Sequence, residues 1–231
     1  MVNDVASQKS CILLVDDHPL ILAGLSQLIN KQPDLICCGV ARTIANAREE
    51  FAASRPDLVT IDLGMPDGDS VQLIKDFTSE RPSMPILVVS QWDETIYAER
   101  VLKAGARGYV MKERCAEDIL VAIRTLLTRE LFVSQKVAVL ALRQMAGRKN
   151  NTKNGLEILT NRELQVLQML GLGLGTRVIS VKLSLSIKTV ETHRENIKHK
   201  LGIRDATALM HYAINWVDNQ NFNPPVNGEK T

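Results

Sequence analysis

The sequence predicts an α/β protein in which a doubly wound, five-stranded parallel sheet is followed by a second, all-α domain. Two features of the first 130 residues predict the sheet: short apolar runs with hardly a polar interruption, and amphipathic stretches that alternate with them. Continuous apolar character is typical of parallel strands that helices cover on both faces, and right-handed crossovers then give the doubly wound order. After residue 156 the apolar residues recur only at helical spacing, which predicts the helical domain.

The predicted elements of the front half follow one another as five β-α units. Each strand is an apolar run of four to six residues, and each helix has apolar residues three or four positions apart. The predicted strands are 11–15, 35–40, 58–61, 86–89 and 108–111. The predicted helices are 20–29, 44–53, 70–77, 95–104 and 116–127.

The composition is that of a globular protein whose two halves differ in charge. Hydrophobic residues make up 45% of the 231 residues and charged residues 23%, which excludes a disordered or fibrous chain. Residues 1–130 hold 14 basic and 19 acidic residues, a net charge of −5, whereas residues 131–231 hold 14 and 7, a net charge of +7. The basic half suggests a polyanionic partner.

Cysteine use and hydropathy predict a cytoplasmic protein. The four cysteines form no C-x-x-C pair and lie mostly inside apolar runs, which favours buried thiols in a reducing compartment. No apolar stretch is long enough to span a bilayer, and the first ten residues show no export signal.

Polar residues follow four of the predicted strands. Asp16 and Asp17 follow the first, Asp62 the third, Ser90 the fourth and Lys112 the fifth. Singly, each can be explained as a turn residue, a helix cap or a solvated lysine. Because the carboxyl ends of parallel strands meet at one end of the sheet, we expect the five side chains to share a pocket.

Such a pocket predicts phosphoryl chemistry on a carboxylate. Three carboxylates repel one another unless a divalent cation neutralises them, and oxygen ligands favour Mg²⁺. A carboxylate can also attack phosphorus, and Asp62 is the best-placed acceptor because its strand is central. The metal, Lys112 and Ser90 would then hold the phosphoryl oxygens.

Four segments of the front half together resemble the receiver domain of bacterial response regulators, which has the flavodoxin-like fold. They are VDDHPL at 15–20, IDLGMP at 61–66, Ser90, and GYVMK at 108–112. The resemblance covers residues 11–130 and implies that a sensor histidine kinase or a small phosphodonor phosphorylates Asp62. It also implies that Mg²⁺ is bound by Asp17, Asp62 and the backbone carbonyl of Gly64, with Asp16 acting through water. It further implies that Ser90 and Lys112 bind the phosphoryl group and that Tyr109 is the aromatic switch residue, which turns inward as Ser90 moves.

The chain departs from the receiver pattern at two positions. Ser70 replaces a glycine that is usual in the family, and Glu113 replaces the proline that often follows the lysine, so a cis peptide bond is not implied. A haloacid-dehalogenase-type phosphatase also uses a phosphorylated aspartate, but its signature requires an acid two residues later. Gly64 stands there, which disfavours that enzyme class.

The back half predicts a helix-turn-helix that binds DNA. Thr160 and Glu163 form a capping-box pattern that begins a helix, and the run GLGLG at 171–175 follows this helix, so we interpret it as a turn and not as a nucleotide-binding loop. A short helix over 177–183 and a longer one over 188–201 are separated by a tight turn, and the longer helix can enter a major groove. The predicted DNA-binding residues are Arg177, Lys182, Lys188, Thr189, Glu191, Thr192, Arg194, Glu195 and Lys198.

The polar face of the longer helix also has a simpler interpretation, ordinary solvation. Glu191 and Glu195 would be repelled by phosphates, so they either accept from a cytosine amino group or lie clear of the backbone. Arg177, Lys182, Lys188 and Lys198 are better candidates for phosphate contacts.

Two segments of the back half resemble the LuxR-type helix-turn-helix of NarL/FixJ response regulators: LTNRELQVLQML at 159–170 and TVETHRENIKHKLGI at 189–203. The resemblance implies that 189–200 is the recognition helix and that a fourth helix, over 205–216, can pair two domains. It departs in the second helix, where Gly175-Thr176-Arg177 and Ser180 replace the more usual Ser-Asn-Lys and alanine. The predicted domains are 10–130 (receiver), 131–155 (a helix over 132–145 and a flexible linker), 156–217 (helix-turn-helix) and 218–231 (disordered tail).

Three hypotheses follow for the function. The first is a transcriptional regulator, not an enzyme, in which phosphorylation favours a homodimer that binds double-stranded DNA. The second is a DNA-binding regulator whose receiver is constitutively dimeric and is not phosphorylated; the complete acidic pocket argues against it. The third is a phosphorylation-dependent protein-interaction module, against which the basic C-terminal half argues.

Overall fold

The computed structural model describes residues 9–114, 116–146 and 155–221. The chain divides into two compact units, residues 1–148 and 149–231, of which the first is α/β and the second helical. This confirms the predicted fold class. Within the described ranges, no helix has the length and apolar character needed to cross a membrane.

Five parallel strands form the sheet of the first unit, in the order β2-β1-β3-β4-β5. This is the flavodoxin-like order, and it places β3 at the centre of the sheet. Each strand lies within one residue of its predicted bounds. They are β1 (Ser10–Val15), β2 (Leu35–Ala41), β3 (Leu58–Ile61), β4 (Ile86–Ser90) and β5 (Gly108–Met111).

Five helices alternate with these strands: α1 (Pro19–Asn30), α2 (Ile44–Ser54), α3 (Ser70–Glu80), α4 (Glu94–Ala104) and α5 (Ala116–Leu127). Helices α1 and α5 pack together over one face, where Ile12 and Leu14 of β1 contribute to a fully buried core. Leu13 alternates with them and points to the opposite face, which is the face left for α2, α3 and α4. The rings of Phe51 and Phe77 stack at 3.9 Å between α2 and α3.

Side-chain caps fix where three of these helices begin. Thr43 Oγ1 accepts from the amide of Asn46 at α2, Asp69 Oδ1 from Val71 at α3, and Asp93 Oδ1 from Thr95 at α4. Each cap satisfies an amide that has no partner within its helix. Two of the caps lie in loops that follow β3 and β4, so the helices begin just beyond the strand ends that carry the predicted site.

The segment after α5 differs from its prediction. A helix was expected over 132–145, but α6 (Gln135–Met145) begins three residues later, and Phe132 forms a parallel bridge with Gly108 of β5. Ser134 Oγ accepts from the amide of Val137 and so marks the start of α6, which packs against α4. A single bridge leaves no periodicity in the sequence, so the extended stretch looked like part of the helix.

The thiols are free, as predicted, but they are not fully buried. Cys11, Cys37 and Cys38 are partly exposed because Cys11 lies near the start of β1 and the other two lie on the outermost strand, β2. Cys115 lies outside the described residues, as does most of the predicted flexible linker, residues 147–154.

Over residues 155–221, the second unit contains a 3₁₀ turn (Leu156–Ile158) and four helices. These are α7 (Asn161–Gly171), α8 (Thr176–Lys182), α9 (Ile187–Leu201) and α10 (Ala206–Asn221). Helix α7 packs against α9 and α10, and a Cβ at Gly171 would overlap the carbonyl oxygen of Ala213, so glycine allows α7 and α10 to approach closely. The disordered tail predicted from 218 is wrong for 218–221, because no helix-breaking residue stands there and α10 continues. Residues 222–231 lie outside the described ranges.

Candidate functional site: an acidic pocket and a helix-turn-helix

Backbone hydrogen bonds bring the predicted pocket residues to one end of the sheet. The amide of Asp16 donates to Ala41 O at 3.0 Å, that of Asp62 to Val15 O at 2.9 Å, and that of Lys112 to Ser90 O at 2.8 Å. Each bond continues the register of neighbouring strands by one residue. The side chains therefore start from adjacent positions, as the alignment of strand ends predicts.

Three carboxylates and one imidazole gather in this pocket. Atoms of Asp16, Asp17, His18 and Asp62 that could bind a metal all lie within 4.8 Å of one another. His18 Nδ1 lies 3.1 Å from Asp16 Oδ1 and 2.8 Å from Asp17 Oδ1. His18 was not among the predicted site residues, although it stands directly after the two aspartates in the sequence.

Lys112 bridges two of the carboxylates. Its Nζ lies 2.6 Å from Asp16 Oδ2 and 3.1 Å from Asp62 Oδ2. Burial by itself would lower the pKa of Lys112, but the charges of Asp62 and Asp16 outweigh burial and raise it. The ammonium therefore remains charged and holds together two groups that would otherwise repel each other.

Asp62 is almost completely buried, with 1% of its surface exposed. Burial raises its pKa, the charge of Asp16 adds to the rise, and Lys112 and Ser90 oppose it. Within the described residues, Asp62 Oδ1 is buried and has no hydrogen-bond partner. A buried carboxylate oxygen without a donor is costly, so the pocket suits an added positive group.

Gly64 lies against the same carboxylate. A Cβ at this position would stand 2.7 Å from Asp62 Oδ2, so a side chain here would crowd that carboxylate. Hard oxygen ligands and an unpaired Asp62 oxygen fit a cation such as Mg²⁺.

Ser90 and Tyr109 lie beside the pocket. Ser90 is fully buried, and its hydroxyl makes no hydrogen bond of standard geometry within the described part of the chain, although it is near enough to lower the pKa of Asp62. The Tyr109 ring is buried as well, and its hydroxyl donates to the backbone O of Trp92 at 2.7 Å. Burial raises the pKa of Tyr109, so the phenol stays protonated and keeps donating. The Trp92 carbonyl carries no side-chain signal and was not predicted.

The helix-turn-helix is formed by α8 and α9. Ser186 Oγ accepts from the amide of Thr189 at 3.0 Å and caps α9, while Gly202, in the left-handed conformation, ends it. Val190 and Ile197 are buried on its inner side. The exposed members of the predicted DNA-binding set are Arg177, Lys182, Lys188, Glu191, Thr192 and Glu195; Thr189, Arg194 and Lys198 are half-buried.

Two of the half-buried residues already have partners. Arg194 donates to Thr176 Oγ1 at 2.6 Å and so ties α9 to the first residue of α8. Lys198 Nζ lies 2.9 Å from Glu195 Oε2. By contrast, Arg177, Lys182 and Lys188 form no ion pair within the described ranges, which leaves their charges available.

Models of known protein families match both units of the chain. The family model for the response regulator receiver domain matches residues 12–124, and that for the luxR family of bacterial regulatory proteins matches residues 157–213. The oxygen regulatory protein NreC of Staphylococcus aureus is 32% identical over 208 residues, which are 88% of this chain and 96% of NreC.

Solved structures of similar fold cover both units. A Salmonella typhimurium structure of the response regulator RcsB, described in terms of its DNA interaction, is 25% identical, with a TM-score of 0.54 over 90% of this chain and 99% of RcsB. RcsB from Salmonella enterica serovar Typhimurium bound to promoter rprA is 24% identical and shares the fold, with a TM-score of 0.58 over 89% and 98% of the two chains.

A receiver fold with its acidic pocket, joined to a LuxR-type helix-turn-helix, defines a DNA-binding response regulator that controls transcription in a two-component system. Members of this class are transcriptional regulators, not classical enzymes. The chain belongs to the NarL/FixJ family of response regulators, which confirms the family predicted from its motifs.

Proposed function

We propose that this response regulator is controlled by phosphorylation of Asp62, with a sensor histidine kinase or a small phosphodonor as the source. The observation that carries the proposal is the pairing of a buried acceptor carboxylate, Asp62, with Lys112 Nζ at 3.1 Å beside the unpaired hydroxyl of Ser90. A cation and a hydroxyl donor next to one carboxylate suit the transfer of a phosphoryl group to it.

Asp17, Asp62 and the Gly64 carbonyl would hold Mg²⁺, with Asp16 acting through water. The cluster of carboxylates and the unpaired Asp62 Oδ1 support this assignment. When bound, Mg²⁺ would neutralise the charge that the acceptor and the incoming phosphoryl oxygens bring together.

The remaining steps belong to side chains of the chain itself. One Asp62 oxygen attacks phosphorus, the bond between phosphorus and the donor atom breaks, and the donor leaves with that electron pair. Lys112 exchanges part of its contact with Asp62 for a phosphoryl oxygen, and Ser90 Oγ donates to another. Both of these contacts with phosphoryl oxygens form only after transfer, so they favour the phosphorylated state.

Movement of Ser90 would carry the signal out of the pocket. The backbone O of Trp92, two residues further on, accepts a hydrogen bond from the Tyr109 hydroxyl. A shift of this loop therefore changes the environment of Tyr109 and of the α4–β5–α5 surface. Phosphorylation then shifts a two-state equilibrium towards a homodimer that binds double-stranded DNA. The described RcsB structure, bound to promoter DNA in the presence of the phosphomimetic BeF₃⁻, is of a protein with the same fold.

The test is the intact mass of the protein after incubation with acetyl phosphate and Mg²⁺, with Asp62→Asn as the matched control. We expect one phosphoryl increment in the natural chain and none in the variant, because asparagine cannot form the acyl phosphate. An unchanged label in Asp62→Asn would contradict the site. No increment in a folded chain that binds Mg²⁺ would favour the constitutively dimeric receiver instead.

A further inference from the structure

Residues 131–145, near the end of the first unit, return to the receiver after α5. The Phe132 amide donates to Arg107 O at 3.0 Å, and Phe132 O accepts from the amide of Tyr109 at 3.0 Å. The segment is therefore bonded to the backbone of the predicted switch residue itself.

A second attachment joins this segment to the start of α4. Ser134 Oγ donates to Glu94 Oε1 at 2.7 Å, and the same hydroxyl accepts from the Val137 amide at 3.2 Å. Glu94 is 8% exposed, Val137 is 6% exposed and Ser134 is half-buried, so the contact is partly shielded from water. Beyond it, α6 packs along α4 and covers part of the α4 surface.

Both attachments end on groups that are linked to the phosphoryl pocket. Tyr109 is held by the segment through its amide and by the loop after β4 through its hydroxyl, which donates to Trp92 O at 2.7 Å. Glu94 lies only four residues after Ser90, whose hydroxyl has no hydrogen bond of standard geometry within the described chain. A displacement of Ser90 towards Asp62 must therefore move the backbone of the short loop between Ser90 and Glu94.

We propose that residues 131–145 form an intramolecular clamp on α4 that phosphorylation of Asp62 releases; this rests on the function proposed above. When Ser90 turns to the phosphoryl group, the loop moves, Trp92 O and Glu94 shift, and the Ser134–Glu94 bond is lost. Since the clamp is held by a few hydrogen bonds, each of modest net contribution, a small displacement suffices. Release uncovers α4 and frees the segment that leads to the DNA-binding unit.

Hydrogen exchange on the full chain tests the contact without any phosphodonor. Glu94→Ala removes the acceptor of Ser134, whereas Glu94→Gln retains an oxygen that can accept. We expect Glu94→Ala to raise amide exchange in α6 and at Tyr109 about tenfold, and Glu94→Gln to stay close to the natural chain. If Glu94→Ala raises exchange only within α4, Glu94 merely supports the start of its own helix and the clamp is wrong.

The coupling is tested by adding beryllofluoride and Mg²⁺ to the natural chain. We expect exchange to fall around Asp62 and to rise in α6 and at Tyr109. A change around Asp62 and Ser90 that leaves α6 as protected as before would overturn the release while sparing the proposed function. If exchange changes neither around Asp62 nor in α6, the result would contradict phosphorylation at Asp62. The proposed release of the clamp by phosphorylation would then be wrong as well.

Discussion

At the scale of single residues, the pocket places opposing demands on Asp62. The carboxylate is buried beside Asp16, which makes its charge costly, and Lys112 offsets only part of that cost through a 3.1 Å contact with Oδ2. The other oxygen, Oδ1, has no donor within the described residues. A buried carboxylate that is incompletely neutralised is stabilised most by an added cation, which agrees with the Mg²⁺ site proposed at this oxygen.

Gly64→Ala tests how much room this acceptor needs. The new methyl group would stand 2.7 Å from Asp62 Oδ2, the oxygen that contacts Lys112, so either this carboxylate or the backbone at residue 64 must shift. We expect the initial rate of labelling by acetyl phosphate to fall about tenfold or more, since small displacements of reacting groups are costly.

Gly68→Ala is the matched control, because it adds the same methyl group a few residues away. There the nearest atom is Ile44 Cδ1, the end of a flexible side chain that can move aside. Its labelling rate should stay within about twofold of the natural chain, in the ordinary range of a surface substitution. Equal losses in both variants would point to a general effect on folding instead of crowding at Asp62.

The sequence predicted the pocket residues but not their partners. Asp16, Asp62 and Lys112 were predictable because parallel strands align their ends, whatever else the chain does. The position of His18 against two carboxylates depends on a rotamer, and that of the Trp92 carbonyl depends on the path of a loop. Neither depends on residue type in a way that periodicity or motif spacing could reveal.

At the scale of elements, helix boundaries depend on local caps, and the clearest cap begins α7. Thr160 Oγ1 accepts from the Glu163 amide at 3.2 Å, and Glu163 Oε2 accepts from the Thr160 amide at 2.7 Å. Lys200 Nζ of α9 lies 2.7 Å from the same Glu163 oxygen. The capping box therefore also helps to dock α9, so a local sequence motif has a tertiary role.

Thr160→Ala should destabilise the C-terminal unit by about 1 kcal/mol, because the Glu163 amide loses its acceptor. Trp216 is buried in this unit, so its fluorescence during urea unfolding of the full chain, in a Trp92→Phe background, reports the change. Thr160→Ser retains the hydroxyl and should remain close to the natural chain. A loss of the same size in both variants would assign the effect to the missing methyl group.

Element types were predicted more accurately than element ends. Strands were predicted to within one residue because burial on both faces leaves hardly any polar residues inside them, Thr60 of β3 being an exception. Phe132 was wrongly placed in a helix, because its single backbone bridge to Gly108 has no repeating pattern. Helix α10 runs past its predicted end because its last turns contain no helix-breaking residue, and the proline pair that suggests a disordered tail, Pro224-Pro225, comes only after residue 221.

At the scale of the whole molecule, the two halves of the chain carry net charges of opposite sign, and each sign suits the partner proposed for that half. The acidic front half contains the pocket that would bind a cation, and the basic back half presents Arg177, Lys182 and Lys188, which are exposed and form no ion pair in the described ranges. Charges that have no internal partner are the ones that can displace counterions from DNA. The glutamates of α9 limit this effect, and Glu195 already neutralises Lys198.

Lys188→Ala should weaken binding to specific and unrelated DNA by similar factors and reduce the slope of log K against log salt by about one, as expected for one lost phosphate contact. Lys198→Ala is the comparison, and its effect should be smaller because its ammonium pairs with Glu195 at 2.9 Å. Fluorescence anisotropy over a salt series measures both quantities. Binding unaltered by Lys188→Ala would remove this residue from the DNA-contacting surface.

The bridge at Phe132 also affects how the receiver behaves in isolation. β5 is the last strand of the sheet, and an uncovered outer strand offers its free N–H and C=O groups to other molecules. Phe132 occupies two of these groups, at Arg107 and Tyr109, and Ser134 secures the chain beside them. A receiver fragment cut at residue 130 would therefore present an open edge prone to intermolecular strand pairing and aggregation, whereas a fragment that extends through α6 would keep that edge closed.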